Sequence, residues 1–177
     1  MRRVARFLLL AVPVAAGVTL WGCNKNIDDP TQANGLLSIE KVEPVVVVAD
    51  ITPTDPNTGL PTPLTTDPVN VTLKNRPRTA STGGGTGLDD IAVEETERVC
   101  TFGGNRIAGG TGPASVVIPS NSTASVAADG VTLAEKQNTG AVVGDSWICE
   151  IRFRGHDLAG NPVSTNLATY SVNFVDK

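Results

Sequence analysis

The sequence predicts an all-β fold: a sandwich of two antiparallel sheets with about seven short strands, behind an N-terminal export signal. Three observations carry that expectation. Apolar and polar residues alternate with period two through residues 146–156 and again through 169–174. Clusters of Gly, Pro, Asn and Asp punctuate the chain between apolar runs. No segment sustains a helical period.

The chain opens with Arg2, Arg3 and Arg6, followed by an uncharged, mostly apolar run over residues 7–20. Leu20-Trp21-Gly22-Cys23 then matches a bacterial lipobox, in which the cysteine at the cut carries acyl chains after processing. Trp21 stands where a small residue is usual, so plain secretion is the alternative. A transmembrane helix needs about 20 apolar residues. Residues 7–22 supply only sixteen, interrupted by Pro13, with no basic stop-transfer cluster behind them. The expected organisation is a signal peptide over 1–22, a polar tether over 23–35 starting at the lipidated Cys23, and a sandwich domain over 36–177.

Leu37 and Ile39 begin a first strand, bent at Pro44 and continuing through Val45 to Val48. Val69, Val71 and Leu73 alternate with Asn70, Thr72 and Lys74 in a second. Residues 91–102 start with Ile91 and Val93 inward and end with Cys100 and Phe102 inward. That change of parity marks a bulge at Glu94-Glu95. Residues 114–118, 123–127 and 131–133 are weaker candidates. The clearest strand is 146–156, with Trp147, Cys149, Ile151, Phe153 and Gly155 on one face. It leads into a turn in which Asp157 accepts backbone amides, Gly160 takes a positive φ, and Asn161 follows. Tyr170, Val172 and Phe174 then complete a C-terminal hairpin. Residues 52–68, 80–87 and 103–113 read as loops from their Pro, Thr and Gly content.

Cleavage before Cys23 removes 22 of 177 residues and leaves 155, enough for one domain. Three of the 14 basic residues go with the signal, against 18 acidic ones retained, for a formal charge of −7. Such a chain is a poor nucleic-acid binder, because neutralising phosphates supplies most of that affinity. Cys100 and Cys149 remain after Cys23 is assigned to lipid. In an oxidising compartment they read as a disulfide linking two strands across the sheets, with two buried free thiols as the alternative. With His156 they are too few for a structural zinc site.

Residues 67–78, Asp-Pro-Val-Asn-Val-Thr-Leu-Lys-Asn-Arg-Pro-Arg, and residues 151–175, with their Gly-His-Asp-Leu-Ala-Gly-Asn-Pro-Val core, carry a resemblance. The chain resembles a family of uncharacterised bacterial lipoproteins with an immunoglobulin-like β-sandwich domain. The Asp-x-x-Gly-Asn turn is similar to one found in many bacterial immunoglobulin-like domains. The resemblance implies an immunoglobulin-like sandwich on a lipid anchor. It implies no activity, and the cysteine pair is not one of its features.

No catalytic constellation assembles from the residues. His156-Asp157 is the one meeting of histidine and carboxylate, but neighbours in a strand point to opposite faces and no Gly-x-Ser-x-Gly elbow accompanies them. Asp89, Asp90, Glu94, Glu95 and Glu97 cluster without the spacing of a calcium loop and read as a solvated acidic face. Residues 103–110 lack the Gly-Lys-Ser/Thr ending of a phosphate loop. Asn70-Val71-Thr72 and Asn121-Ser122-Thr123 match glycosylation acceptors by chance in a chain with a bacterial signal. Most aromatics share inward parity, and Arg76, Arg78, Arg152 and Arg154 fall on outward faces. The expectation is a cell-envelope lipoprotein, periplasmic or surface-facing, with a non-catalytic structural or protein-interaction domain and no cofactor or metal. Its partners would be the membrane, through the N-terminal lipid, and an envelope protein. The alternative is a surface lipoprotein that binds a glycan or small molecule.

Overall fold

The computed structural model describes residues 33–52, 54, 59, 64–78 and 88–176. In chain order they form β1 (Gly35–Glu43), β2 (Val46–Asp50), β3 (Asp67–Pro77), β4 (Ile91–Phe102), β5 (Asn105–Ile118) and β6 (Thr123–Val131). Then come α1 (Leu133–Asn138), β7 (Ser146–Asp157), β8 (Pro162–Ser164) and β9 (Ala168–Val175). One sheet has the order β1-β3-β6; the other runs β2-β9-β7-β4-β5, with β8 also pairing with β7. This is the expected all-β sandwich of two sheets.

The core follows from strand alternation. Val69, Val71 and Leu73 point inward from β3, and Trp147, Cys149, Ile151 and Phe153 from β7. Tyr170, Val172 and Phe174 meet them from β9. The rings of Trp147 and Phe174 pack edge-on with centroids 4.4 Å apart. The C-terminal hairpin is present as expected, β7 pairing antiparallel with β9. The bulge is also where the parity change places it: both ladders of β4 shift register between Val93 and Glu95.

Four expectations are corrected. The first strand is two, because Pro44 has no N–H to continue a ladder. β1 pairs with β3 in one sheet, whereas β2 crosses to the other and lies parallel to β9, so the sandwich is not wholly antiparallel. Second, residues 103–113 are not a loop. Gly103 and Gly104, both with positive φ, turn the chain, and β5 then continues as one long strand. Gly109 sits there because a Cβ would lie 2.3 Å from the Arg98 carbonyl oxygen. Third, residues 131–133 are no strand of their own. β6 ends at Val131 and Thr132 caps α1. Fourth, Phe102 is exposed, since it leads straight into that glycine turn.

Boundaries move slightly. Ala33 is already buried and β1 begins at Gly35, so the fold starts ahead of Leu36, while Pro68 belongs to β3. The signal peptide, Cys23 and the loop at residues 80–87 lie outside the described residues.

Candidate functional site

The turn residues Asp157, Gly160 and Asn161 come together as the sequence predicts. Gly160 has φ +90°. Asp157 is fully buried, and its oxygens accept from Ala159 N at 3.1 Å and Asn161 N at 2.8 Å. Asn161 Nδ2 contacts both oxygens, at 3.1 and 2.9 Å. The fifth bond comes from Asn34 N, at 2.9 Å, and ties the start of the domain to its far end in sequence. Burial by itself would raise the carboxyl, yet these hydrogen bonds to the ionised form hold it below the usual carboxylate range.

Cys100 and Cys149 form a disulfide, but not across the sheets. They are directly paired on the neighbouring strands β4 and β7, with Cα atoms 4.0 Å apart. The parity change in β4 is the reason: it brings Cys100 onto the same inward face as Cys149.

His156 and Asp157 do not form a dyad. His156 lies 3.3 Å from Glu94 at the surface, while Asp157 is enclosed in its turn. The acidic residues are dispersed among separate partners. Glu97 pairs with Arg152 and Arg154, and Asp90 accepts from Ser120 N at 2.9 Å. Among the described residues no group of three His, Cys, Asp or Glu side chains is placed to hold a metal ion. Arg76 pairs with Glu40 at 3.0 Å.

The best-built polar site involves residues that the sequence reading passes over. Behind the bulge, Thr96, Arg98 and Cys100 all face inward from β4. Arg98 Nη2 donates to both oxygens of Glu135 on α1, at 2.7 and 2.6 Å. Its Nη1 donates to Gly130 O at 3.0 Å and lies 3.2 Å from Cys100 Sγ. Glu135 also accepts from Gly109 N and Thr132 N, and Thr132 Oγ1 accepts from Glu135 N, completing a capping box. Burial would raise the Glu135 carboxyl; the bonds from Thr132 and Arg98 outweigh it and leave it lowered. Tyr170 Oη donates to the same Gly130 carbonyl at 2.8 Å, and burial pushes its hydroxyl up to about 12.

A cleft of about 420 Å³ opens over this network, where the outermost strands β5 and β6 of the two sheets approach. Thr96, Arg98 and Ile151 line it from within, with Gly109–Pro113 and Asp129 along its walls. Among the described residues that line it there is no aromatic ring and one arginine, which Glu135 already engages.

At the opposite side of the six-stranded sheet, β2 is a terminal strand, and no described strand pairs with its outer edge. Ser171 N donates to Val45 O, and Ile51 N to Val175 O. In a parallel ladder those bonds assign the odd-numbered residues to β9 and turn the peptide groups of Val46, Val48 and Asp50 outward. Val45, Val46 and Val48 are exposed beside that edge. Val46, Ser171 and Ile148 are in register across the outer face of the sheet, and Ile148 is 57% exposed.

No family model and no curated protein matches the sequence. Among solved structures, the chain is similar to the alkylpurine DNA glycosylase AlkC of Pseudomonas fluorescens bound to DNA containing an abasic site analogue. That match has a TM-score of 0.40 and 7% identity, covering 80% of this chain and 31% of the glycosylase. A late embryogenesis abundant (LEA) protein is similar at a TM-score of 0.37 and 11% identity, over 78% of this chain and 71% of its own. The chain thus spans less than a third of the glycosylase's length, and neither likeness carries a functional argument.

Proposed function

We propose that this chain is a lipid-anchored protein of the bacterial cell envelope whose immunoglobulin-like sandwich is a non-catalytic, protein-interaction module. The export signal ending at Cys23 supports the anchor. The split first strand, with β2 parallel to β9, supports the immunoglobulin-like reading. The open edge of β2 carries the interaction reading. An edge that no described strand pairs, with outward peptide groups and exposed valines, accepts an added strand: main-chain bonds supply affinity and alternate side chains supply specificity.

The test is a cross-linking pull-down from intact envelopes, run with the parent, a Cys23→Ser form and a Val48→Pro form. Val48 N–H is not used by β9, so proline there blocks strand addition and leaves the internal ladder in place. A partner captured by the parent and lost with Val48→Pro supports the reading. Capture that survives Val48→Pro removes the edge from the argument. Detergent-phase partitioning that is unchanged by Cys23→Ser removes the lipid anchor.

The cleft beside Arg98 favours a second reading, a surface lipoprotein that binds a small polar ligand or glycan. Its arginine is already paired and its described lining offers no ring for stacking, which places this reading second. Glycan and metabolite screening against the parent and a Thr96→Val form separates the two.

A further inference from the structure

We propose that the end of the sandwich bearing Leu36, Leu88 and Leu158 rests on the lipid surface that holds the anchor, so that the domain is oriented rather than swinging on its tether. The inference builds on the lipid-anchor reading above. Its starting point is how the chain enters the fold. Asn34 N donates to buried Asp157, and Asn34 O accepts from Arg78 N at 2.9 Å. A Cβ on Gly35 would lie 2.6 Å from Asn75 Oδ1 and 2.9 Å from Ile91 Cδ1. The entry point is therefore rigid.

The three leucines surround that point. Leu36 directly follows Gly35 and is 48% exposed. Leu88 is 51% exposed and precedes Asp89, whose carbonyl accepts from Asn75 Nδ2 at 2.7 Å. Leu158 is 48% exposed, and its N–H donates to Asp90 O at 3.0 Å. Leucines scattered singly over a surface mean little. These three are fastened to one hydrogen-bonded knot, at the one place the anchor leads to.

Tether length agrees with that orientation. Only the nine residues 24–32 separate the acylated cysteine from Ala33, and the ten Cα-to-Cα steps between the two extend at most about 35 Å. Over so short a span the effective concentration of lipid at this end is high, and weak apolar contacts suffice. Arg76, in register with Leu36, is paired with Glu40, so the contact offered to the lipid at this end is the apolar one.

The test uses the mature, acylated protein in vesicles of phosphatidylethanolamine and phosphatidylglycerol with brominated acyl chains. Leu158→Trp reports on the docking end. Leu133→Trp, on α1 at the opposite end of the sandwich, is the control, and buried Trp147 contributes the same background to both. Docking predicts that Leu158→Trp loses emission on bromination and Leu133→Trp does not. Adding Leu36→Ser and Leu88→Ser to Leu158→Trp should restore the emission while the protein still floats with the vesicles. Equal quenching of both reporters in floated protein overturns the docking and leaves the anchor standing. Failure to float, matched by the Cys23→Ser form, overturns the anchor and this orientation with it.

Discussion

The guanidinium of Arg98 on β4 grips both carboxylate oxygens of Glu135 on α1 inside the gap between the two sheets. Both side chains are nearly closed off from water, so solvent screens the pair little. The arrangement fastens the six-residue helix, too short to be stable alone, to the six-stranded sheet. Lys136, paired with Asp67 at 2.7 Å, fastens the same helix to β3. Helix α1 thus bridges the two sheets at the mouth of the cleft.

Removing one partner of a buried pair leaves the other charge without compensation. Glu135→Ala should therefore destabilise the domain by about 3–5 kcal/mol, read as a shift of the denaturation midpoint in urea. The double replacement Arg98→Met with Glu135→Leu should recover much of that loss, because no charge is left buried. If the single change shifts the midpoint by only about 1 kcal/mol, as an exposed pair would, the pair does not hold the helix.

Tyr170 is the one tyrosine of the chain, so its ionisation can be followed without overlap. Its hydroxyl, pushed up to about 12 by burial, is neutral in the fold well above the ordinary value of 10.0. A raised value contributes stability that is present below pH 10 and is lost as pH climbs toward 12. The ultraviolet signal of tyrosinate should stay absent at pH 10 and appear together with unfolding. Its appearance near pH 10 in folded protein would place the hydroxyl in water.

The legible parts of the sequence were those where side chains report on the backbone. Trp147, Cys149, Ile151 and Phe153 alternate with polar neighbours because one face of β7 is the core. The Glu94 bulge is visible as the parity change between Val93 and Cys100. The same parity places Arg98 inward, but a charged residue reads as exposed unless its partner is known. That partner stands on a helix of a turn and a half, which has no room for a period; the Thr132-x-x-Glu135 capping box is its one sequence signal. β5 is hidden for a different reason. Gly109, Gly110 and Gly112 have no side chains to alternate, and the strand exists through its ladder to β4.

Acid should unfold the domain through carboxylates that the fold keeps ionised. Asp157 and Glu135 lie below their ordinary values of 3.8 and 4.5 in the native state. The unfolded chain therefore takes up protons first, and stability present above about pH 4.5 is lost as pH falls below it. The melting temperature should be flat from pH 7 to 5 and decline more steeply below. Asp157→Asn should lower the neutral-pH plateau and flatten the acid limb. An unchanged acid limb would show that the Asn34–Asp157 tie contributes nothing.

The disulfide spans 49 residues of chain and lies wholly in the core. Closing such a loop in the unfolded state accounts for about 4 kcal/mol on chain entropy. For a domain of this length, 1 kcal/mol moves the melting temperature by about 2–4 °C, so Cys100→Ala with Cys149→Ala should lower it by about 10 °C. Reduction of the folded parent should be slow, because neither sulfur is exposed to a reductant until the sheet opens. Thiol labelling checks both points. Denatured, unreduced protein should leave Cys100 and Cys149 unlabelled, and native protein treated with a mild reductant should label only as fast as it unfolds. Rapid labelling of the native protein would place the bond at an accessible, exchangeable position and overturn its structural role.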